Sequence, residues 1–245
     1  MRWIDDFKAL LFDMNSTFMF GEDRFHDGED FHRTYLSMGG RALSATKVEQ
    51  YIRACYDGMS RDFEDPACYE HFPTLLQGLR RYATPPEEEL SVLERVFTFH
   101  ELGSVPESSA ALLRRLSRTH KLALVANIWG PKQAWLDEFK RAGIEGVFHH
   151  AVFSSDLGHI KPSPLLYREA LRGVGAQPQE AAFIGDSLRY DMEGAKKAGM
   201  TTVWVTPEPA PHPCVDHAIR VVQELETYAA PQRAGADAAG PGPRG

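Results

Sequence analysis

Two acids and a lysine, far apart along the chain, fall where apolar runs end. The run Ala9–Phe12 leads straight into Asp13-Met14-Asn15-Ser16-Thr17, and Ala182–Ile184 into Gly185-Asp186-Ser187 with Asp191 a turn later. Between them, Leu122–Val125 ends in Ala126-Asn127, and Ala151–Phe153 precedes the loop Gly158-His159-Ile160-Lys161-Pro162. Asp13 and Asp186 at one rim can hold a hard dication through oxygen ligands, with Asp191 as a further ligand or as the anchor of a bound water. Such an ion and Lys161 would neutralise a phosphoryl group and reduce its repulsion of an attacking carboxylate. An Asp nucleophile forming an aspartyl-phosphate is then an available route, and Asn127 and nearby backbone N–H groups could hold the other phosphate oxygens. Plainer readings stand beside these. Asp13 and Asn127 can cap turns, Asp186 and Ser187 can cap a helix, Asp191 is an ordinary first-turn acid, and Lys161 can be a surface lysine.

For these residues to meet, the runs must be neighbouring strands whose ends share one rim. The runs Ala9–Phe12, Leu122–Val125, Ala151–Phe153, Ala182–Ile184 and Thr201–Val205 are nearly continuous in apolar residues, as strands buried on both faces of a parallel sheet should be. Helical segments are expected between the later runs. They cover Ser108–Thr119 (apolar face Leu112, Leu113, Leu116), Lys132–Ala142 after Pro131, Ser163–Arg172 stopping at Gly173, and Leu188–Ala198 stopping at Gly199. Alternation of this kind gives right-handed βαβ units and an open α/β sheet, whose ligand crevice lies beyond the C-terminal strand ends.

A long insert follows the first strand. One helix is expected over about Glu29–Met38. A second starts near Ser44 or Thr46, with Thr46-x-x-Glu49 as a capping box, and places Val48, Ile52, Cys55 and Met59 on one face. A third follows Pro73. A fourth follows Pro85-Pro86, with Glu87, Glu88 and Glu89 in its first turn and Leu90, Leu93 and Phe97 as its buried stripe. Residues 229–245 hold 13 Ala, Gly or Pro and no large apolar side chain, so they read as a disordered tail.

Composition narrows the partners. With 43% hydrophobic and 25% charged residues the chain is an ordinary globular one. Lys and Arg number 27 against 34 Asp and Glu, a net charge of −7 that disfavours nucleic acid and anionic lipid. The three cysteines, Cys55, Cys68 and Cys214, show no C-x-x-C or zinc-ligand spacing, which points to a reducing compartment. Asp5 and Asp6 sit where a signal peptide would need its apolar run, and no run approaches the ~20 residues of a membrane span. A cytoplasmic protein, monomer or homodimer, is expected.

The pieces Phe12-Asp13-Met14-Asn15-Ser16-Thr17, Ala126-Asn127, Lys161-Pro162 and Gly185-Asp186-Ser187-Leu188-Arg189-Tyr190-Asp191, in that order over about residues 8–225, resemble the haloacid dehalogenase-like hydrolase superfamily. The resemblance implies a Rossmann-like core over residues 1–20 and 104–228, with residues 21–103 forming an all-helical cap. It implies a magnesium-dependent phosphatase acting on a small phosphorylated metabolite. Asp13 would be the nucleophile, Lys161 the phosphate-binding lysine, and Asp186 and Asp191 metal acids alongside Asp13. The backbone carbonyl of Asn15 would complete the metal set, and Ala126 and Asn127 occupy the family's phosphate-binding motif.

Two positions depart from the family pattern. Asn15 stands where an Asp normally protonates the leaving oxygen and then activates water, a contribution of roughly 10²–10⁴-fold. Ala126 replaces a phosphate-binding hydroxyl, a loss of about 0.5–1.5 kcal/mol. Both favour a rival reading, a catalytically silent phosphate- and metal-binding regulatory protein. A metal-independent 2-haloacid dehalogenase is a further rival, disfavoured by Asp186. His159 is a candidate substitute acid or base, and Arg24, Arg33 and Arg41 are candidates to grip a substrate anion. Trp129 is a candidate crevice wall. Phe18, Met19 and Phe20 are expected to pack the hinge to the cap, and His149-His150 to be a solvated pair.

Overall fold

The computed structural model describes residues 3–227; the tail expected over 229–245 lies outside them. Six parallel strands form one sheet in the order β3-β2-β1-β4-β5-β6. They are β1 (Ala9–Phe12), β2 (Lys121–Ala126), β3 (His150–Phe153), β4 (Ala181–Gly185), β5 (Thr201–Val205) and β6 (His217–Ile219). The chain winds to one side of β1 through β2 and β3, then returns to its other side with β4. The switch point therefore falls between β1 and β4, whose registered ends, Phe12 opposite Ile184, deliver Asp13 and Asp186 to one crevice.

Strand alternation explains the continuous apolar runs. Leu10, Phe12, Leu122 and Leu124 face one layer, with Leu112, Leu113, Trp135 and Phe139, from helices α5 (Glu107–Leu116) and α6 (Gln133–Arg141). Ala9, Leu11, Ala123, Val125 and Phe183 face the other layer, with Leu166, Tyr167, Ala170 and Val174 from α8 (Pro164–Val174). A short helix, α7 (Ser154–Leu157), follows β3. Each fully buried large side chain contributes about 1.5–3 kcal/mol, so both faces must be apolar.

Helix α8 runs through Gly173 and ends at Gly175, later than the glycine signal indicated. Gly173 is there for close packing, because a Cβ at that point would lie 2.1 Å from His150 Cγ. Gly175, at φ 62°, supplies the left-handed turn that stops the helix. After β4, Ser187 caps the next segment by accepting from Tyr190 N. That segment begins as a π turn, Leu188–Met192, before α9 (Glu193–Lys197). Strand β6 was not expected. It has three residues, and two of them are only half buried, so no apolar run marks it.

Between β1 and α5 the chain builds a helical layer of α1 (Phe31–Ser37), α2 (Ala45–Glu64), α3 (Leu75–Gly78) and α4 (Leu90–Glu101). These helices bury their own cluster, including Val48, Ile52, Cys55, Met59, Leu90, Leu93 and Phe97. The cap of α2 is Ser44, whose side chain accepts from Lys47 N, so Thr46, where the box is expected, is already the second residue of the helix. Backbone-to-backbone hydrogen bonds join the layer to the sheet domain at two places. Phe20 and Ser104 exchange backbone hydrogen bonds of 3.0 and 2.8 Å where the chain leaves and returns. On the far side, Phe72 N donates to Gly158 O (2.8 Å) and Ile160 N to Tyr69 O (3.0 Å). The second junction anchors the loop that carries Lys161. No helix among the described residues is long and apolar enough to cross a membrane.

Candidate active site

Asp13 leaves β1 at the switch point, and its N–H still pairs with Ile184 O at 2.8 Å. The next residues turn tightly, with Phe18 N and Met19 N both donating to Met14 O at 3.0 Å. Within this turn Thr17 Oγ1 donates to Asp13 Oδ2 at 3.1 Å, which fixes the carboxylate. Lys161 reaches the same point from the loop after β3. Its Nζ bonds Asp13 Oδ1 and donates to Asp191 Oδ1 at 2.7 Å. Asp191 is steadied by Ser187 N, which donates to its Oδ2 at 2.9 Å. Asn127 holds the lysine loop, its Oδ1 accepting from Lys161 N at 2.9 Å, so its amide N–H groups remain for a ligand.

The sequence-expected residues Asp13, Asp186 and Asp191 converge. One carboxylate oxygen from each lies within 4.8 Å of the other two. Burial, followed by repulsion from Asp13 and Asp191, pushes the Asp186 carboxyl up to about 8. Burial pushes Asp191 up to about 6, although the Lys161 ammonium works against that shift. Burial by itself would lower the Lys161 pKa, but Asp13 and Asp191 outweigh it and hold the ammonium above its ordinary range. The three acids thus share a single amine, leaving negative charge uncompensated in a cavity of ≈ 490 Å³.

Asn15 and Asn127 line this cavity, as does Trp129. Ala126 does not; it is fully buried in the sheet core. Trp129 forms an aromatic wall, with ring centroids 5.8 Å from Tyr56 and 6.0 Å from Phe63. Other candidates fall elsewhere. His159 Nδ1 lies 2.8 Å from Glu70 Oε2, in a separate groove. Arg24 donates to Phe99 O and Arg41 to Leu36 O, Arg33 is exposed, and none of the three lines the cavity. Phe18 packs on Phe12, Phe139 and Phe148, so it belongs to the sheet core rather than to a hinge. His149 is exposed, as expected, with its Nδ1 accepting from Leu122 N at 3.3 Å, whereas His150 is half-buried over Gly173.

Four acids on the cavity wall were not singled out from sequence: Glu22, Asp23, Glu64 and Glu101. Glu101 is 4% exposed and bolts the helical layer to the loop after β2. Its carboxylate accepts from Trp129 N at 2.5 Å and Gly130 N at 2.8 Å. It stands at the end of the stripe Leu90, Leu93, Phe97, in step with the i, i+3, i+4 spacing. An acid on an apolar stripe is a readable signal. Glu22 and Asp23 lie in irregular chain and carry no such mark.

A family model described as haloacid dehalogenase-like hydrolase matches residues 7–199. A glyceraldehyde 3-phosphate phosphatase of Methanopyrus kandleri is 36% identical over 138 residues, which is 54% of this chain and 57% of that protein. The chain thus spans little more than half the length of that curated relative. Among solved structures, a haloacid dehalogenase-like phosphatase of Thermococcus onnurineus is 25% identical with a TM-score of 0.60, covering 90% of this chain and 96% of that one. A 2-haloacid dehalogenase of Pseudomonas syringae shares the fold at 22% identity and a TM-score of 0.64, covering 90% of this chain and 97% of that one.

Proposed function

We propose, from the premise that this chain belongs to the haloacid dehalogenase-like hydrolase family, that it is a magnesium-dependent phosphatase of a small phosphorylated metabolite, working through Asp13. The observation that carries this reading is the meeting of Asp13, Asp186 and Asp191 within 4.8 Å around one lysine. An all-oxygen donor set with excess negative charge suits a hard dication. Asp13, Asp186 and Asp191 would hold it, with the Asn15 carbonyl that the resemblance supplies. When bound, magnesium offsets the charge of the phosphoryl oxygens.

The remaining work falls to side chains. Asp13 attacks phosphorus, and the bond from phosphorus to the organic oxygen breaks with its electron pair on that oxygen. Lys161 and Thr17 orient the nucleophile, and the Asn127 amide donates to a phosphoryl oxygen. Asn15 has no proton to give, so the leaving oxygen must take one from water. Water then attacks the aspartyl-phosphate, releasing phosphate and restoring Asp13. Acyl phosphates, whose leaving groups are weak bases, suffer least from the missing acid. The helical layer acts as the cap that closes over this chemistry.

Asn15 also supports a second reading, a silent phosphate- and metal-binding regulator. Phosphate release from alkyl and acyl phosphates, with and without magnesium, separates the two. The phosphatase reading expects magnesium-dependent release, fastest from acyl phosphates, and loss of magnesium binding in Asp186→Ala. Magnesium and beryllium fluoride binding without any turnover would establish the regulator instead. Metal-free chloride release from a 2-halo acid would establish a dehalogenase.

A further inference from the structure

The cavity has a second end, set by the helical layer, that the phosphoryl chemistry leaves unused. Glu22, Asp23 and Glu101 stand there beside the rings of Tyr56, Phe63 and Trp129. Lys161 is the one basic side chain lining the cavity among the described residues, and Asp13 and Asp191 already hold it. Arg189, close by, is paired with Glu64 at 2.6 Å. A carboxylate on a ligand would therefore meet acids and no cation.

Two oxygens at this end lack partners. Asn15 Oδ1 and Glu22 Oε2 are buried without a hydrogen bond, although Glu22 Oε1 accepts from Ser16 Oγ at 2.8 Å. Buried acceptors without donors are costly, and what both lack is an N–H or O–H group. Aromatic faces near such acceptors suit a cation, which the rings attract through their quadrupole. Desolvation, with Glu22 next, pushes Asp23 up to about 6, although the residue stays exposed at the cavity rim. Burial pushes Glu101 up to about 8, further raised by Asp23 but eased by its two N–H donors. A cation would relieve both.

We infer that the phosphomonoester this site takes carries a primary ammonium on its organic part and no carboxylate, with Glu22, Asp23, Glu101 and Asn15 Oδ1 receiving the N–H groups and Trp129 and Tyr56 flanking them. The inference rests on the phosphatase reading and deepens it. The cavity, at ≈ 490 Å³, is within the range for a small metabolite.

The test is a matched two-carbon series presented to the magnesium-loaded full chain: O-phosphoethanolamine, 2-hydroxyethyl phosphate and 2-phosphoglycolate. kcat/KM should fall at least about tenfold from amine to hydroxyl and again from hydroxyl to carboxylate, as loss and then reversal of a charge attraction in a low-dielectric cavity requires. If turnover is too slow to follow, calorimetric affinities should keep that order. In the double variant Glu22→Gln and Asp23→Asn, with folding checked by thermal unfolding, the amine-to-hydroxyl ratio should drop about tenfold. An unchanged ratio, or 2-phosphoglycolate or 2-hydroxyethyl phosphate used as well as the amine, overturns the inference and leaves the phosphatase reading intact. Neither turnover nor binding of any of the three esters overturns the inference, while phosphate release from the alkyl and acyl phosphates named above decides the phosphatase reading separately.

Discussion

At the sheet end of the cavity Asp13 and Asp191 grip the ammonium of Lys161, whereas at the helical end Glu22, Asp23 and Glu101 share the wall with no basic side chain among the described residues. Both ends are acidic, but only one carries its own cation. Where the chain supplies the counter-charge, the carboxylates are fixed in place and their geometry belongs to the protein. Where it supplies none, the charge remains available to whatever enters. An acid-lined cavity should therefore be read one carboxylate at a time, by asking what each oxygen already holds.

The strongest way to disturb this contrast is to add one more acid between the two ends. Asn15 Oδ1 is buried and has no donor, so a carboxyl there would tend to keep its proton, as a general acid must. Asn15→Asp should raise kcat on alkyl phosphates by about 10²–10⁴-fold, read from initial rates of phosphate release. An unchanged rate would show that the missing acid is not what limits turnover.

Removing the internal cation tests the sheet end. Lys161→Met leaves two buried carboxylates unpaired and should destabilise the magnesium-free protein by about 3–5 kcal/mol, measured by urea unfolding. A loss below 1 kcal/mol, on the scale of an exposed ion pair, would mean that the pair is not desolvated as described.

The smallest effect sharpens the helical end. Glu101 sits near 8 when folded against an ordinary 4.5, so the folded state holds a proton that the unfolded state gives up. Its contribution to stability is complete below about pH 4.5 and is lost as pH rises through about 8. Glu101→Gln cannot ionise. The stability of the parent chain relative to this variant should therefore fall between those limits and level off above about pH 8. A difference that grows with pH would refute the buried, uncompensated acid.

Much of the sheet end was legible because its chemistry sits where strands stop. The runs Ala9–Phe12 and Thr201–Val205 coincide with β1 and β5, Asp13 and Asp186 follow their runs within two residues, and Lys161 and Asp191 come eight and seven residues after theirs. The helical end was harder to read. Glu22 and Asp23 lie in irregular chain, and only folding brings them to Glu101. The fold was missed where side-chain pattern carries little information. Polar β6 shows no apolar run. Gly173 looks like a helix stop, but the His150 ring above it explains its size, and Gly175 makes the turn. Ser44 rather than Thr46 caps α2, although only Thr46 has an acid three residues on, so the backbone and not the box signal sets the start.

The chain enters and leaves the helical layer through one isolated bridge, where Phe20 and Ser104 exchange two backbone hydrogen bonds. Neither bond depends on which side chains occupy those positions. A different set of helices could be hung from the same hinge posts, provided that it supplied new partners for the loop after β2, now held by Glu101, and for the Lys161 loop, now held at Tyr69 and Phe72. The molecule is organised like a tool with an exchangeable bit, in which the handle holds the reaction and the fitted piece chooses the work.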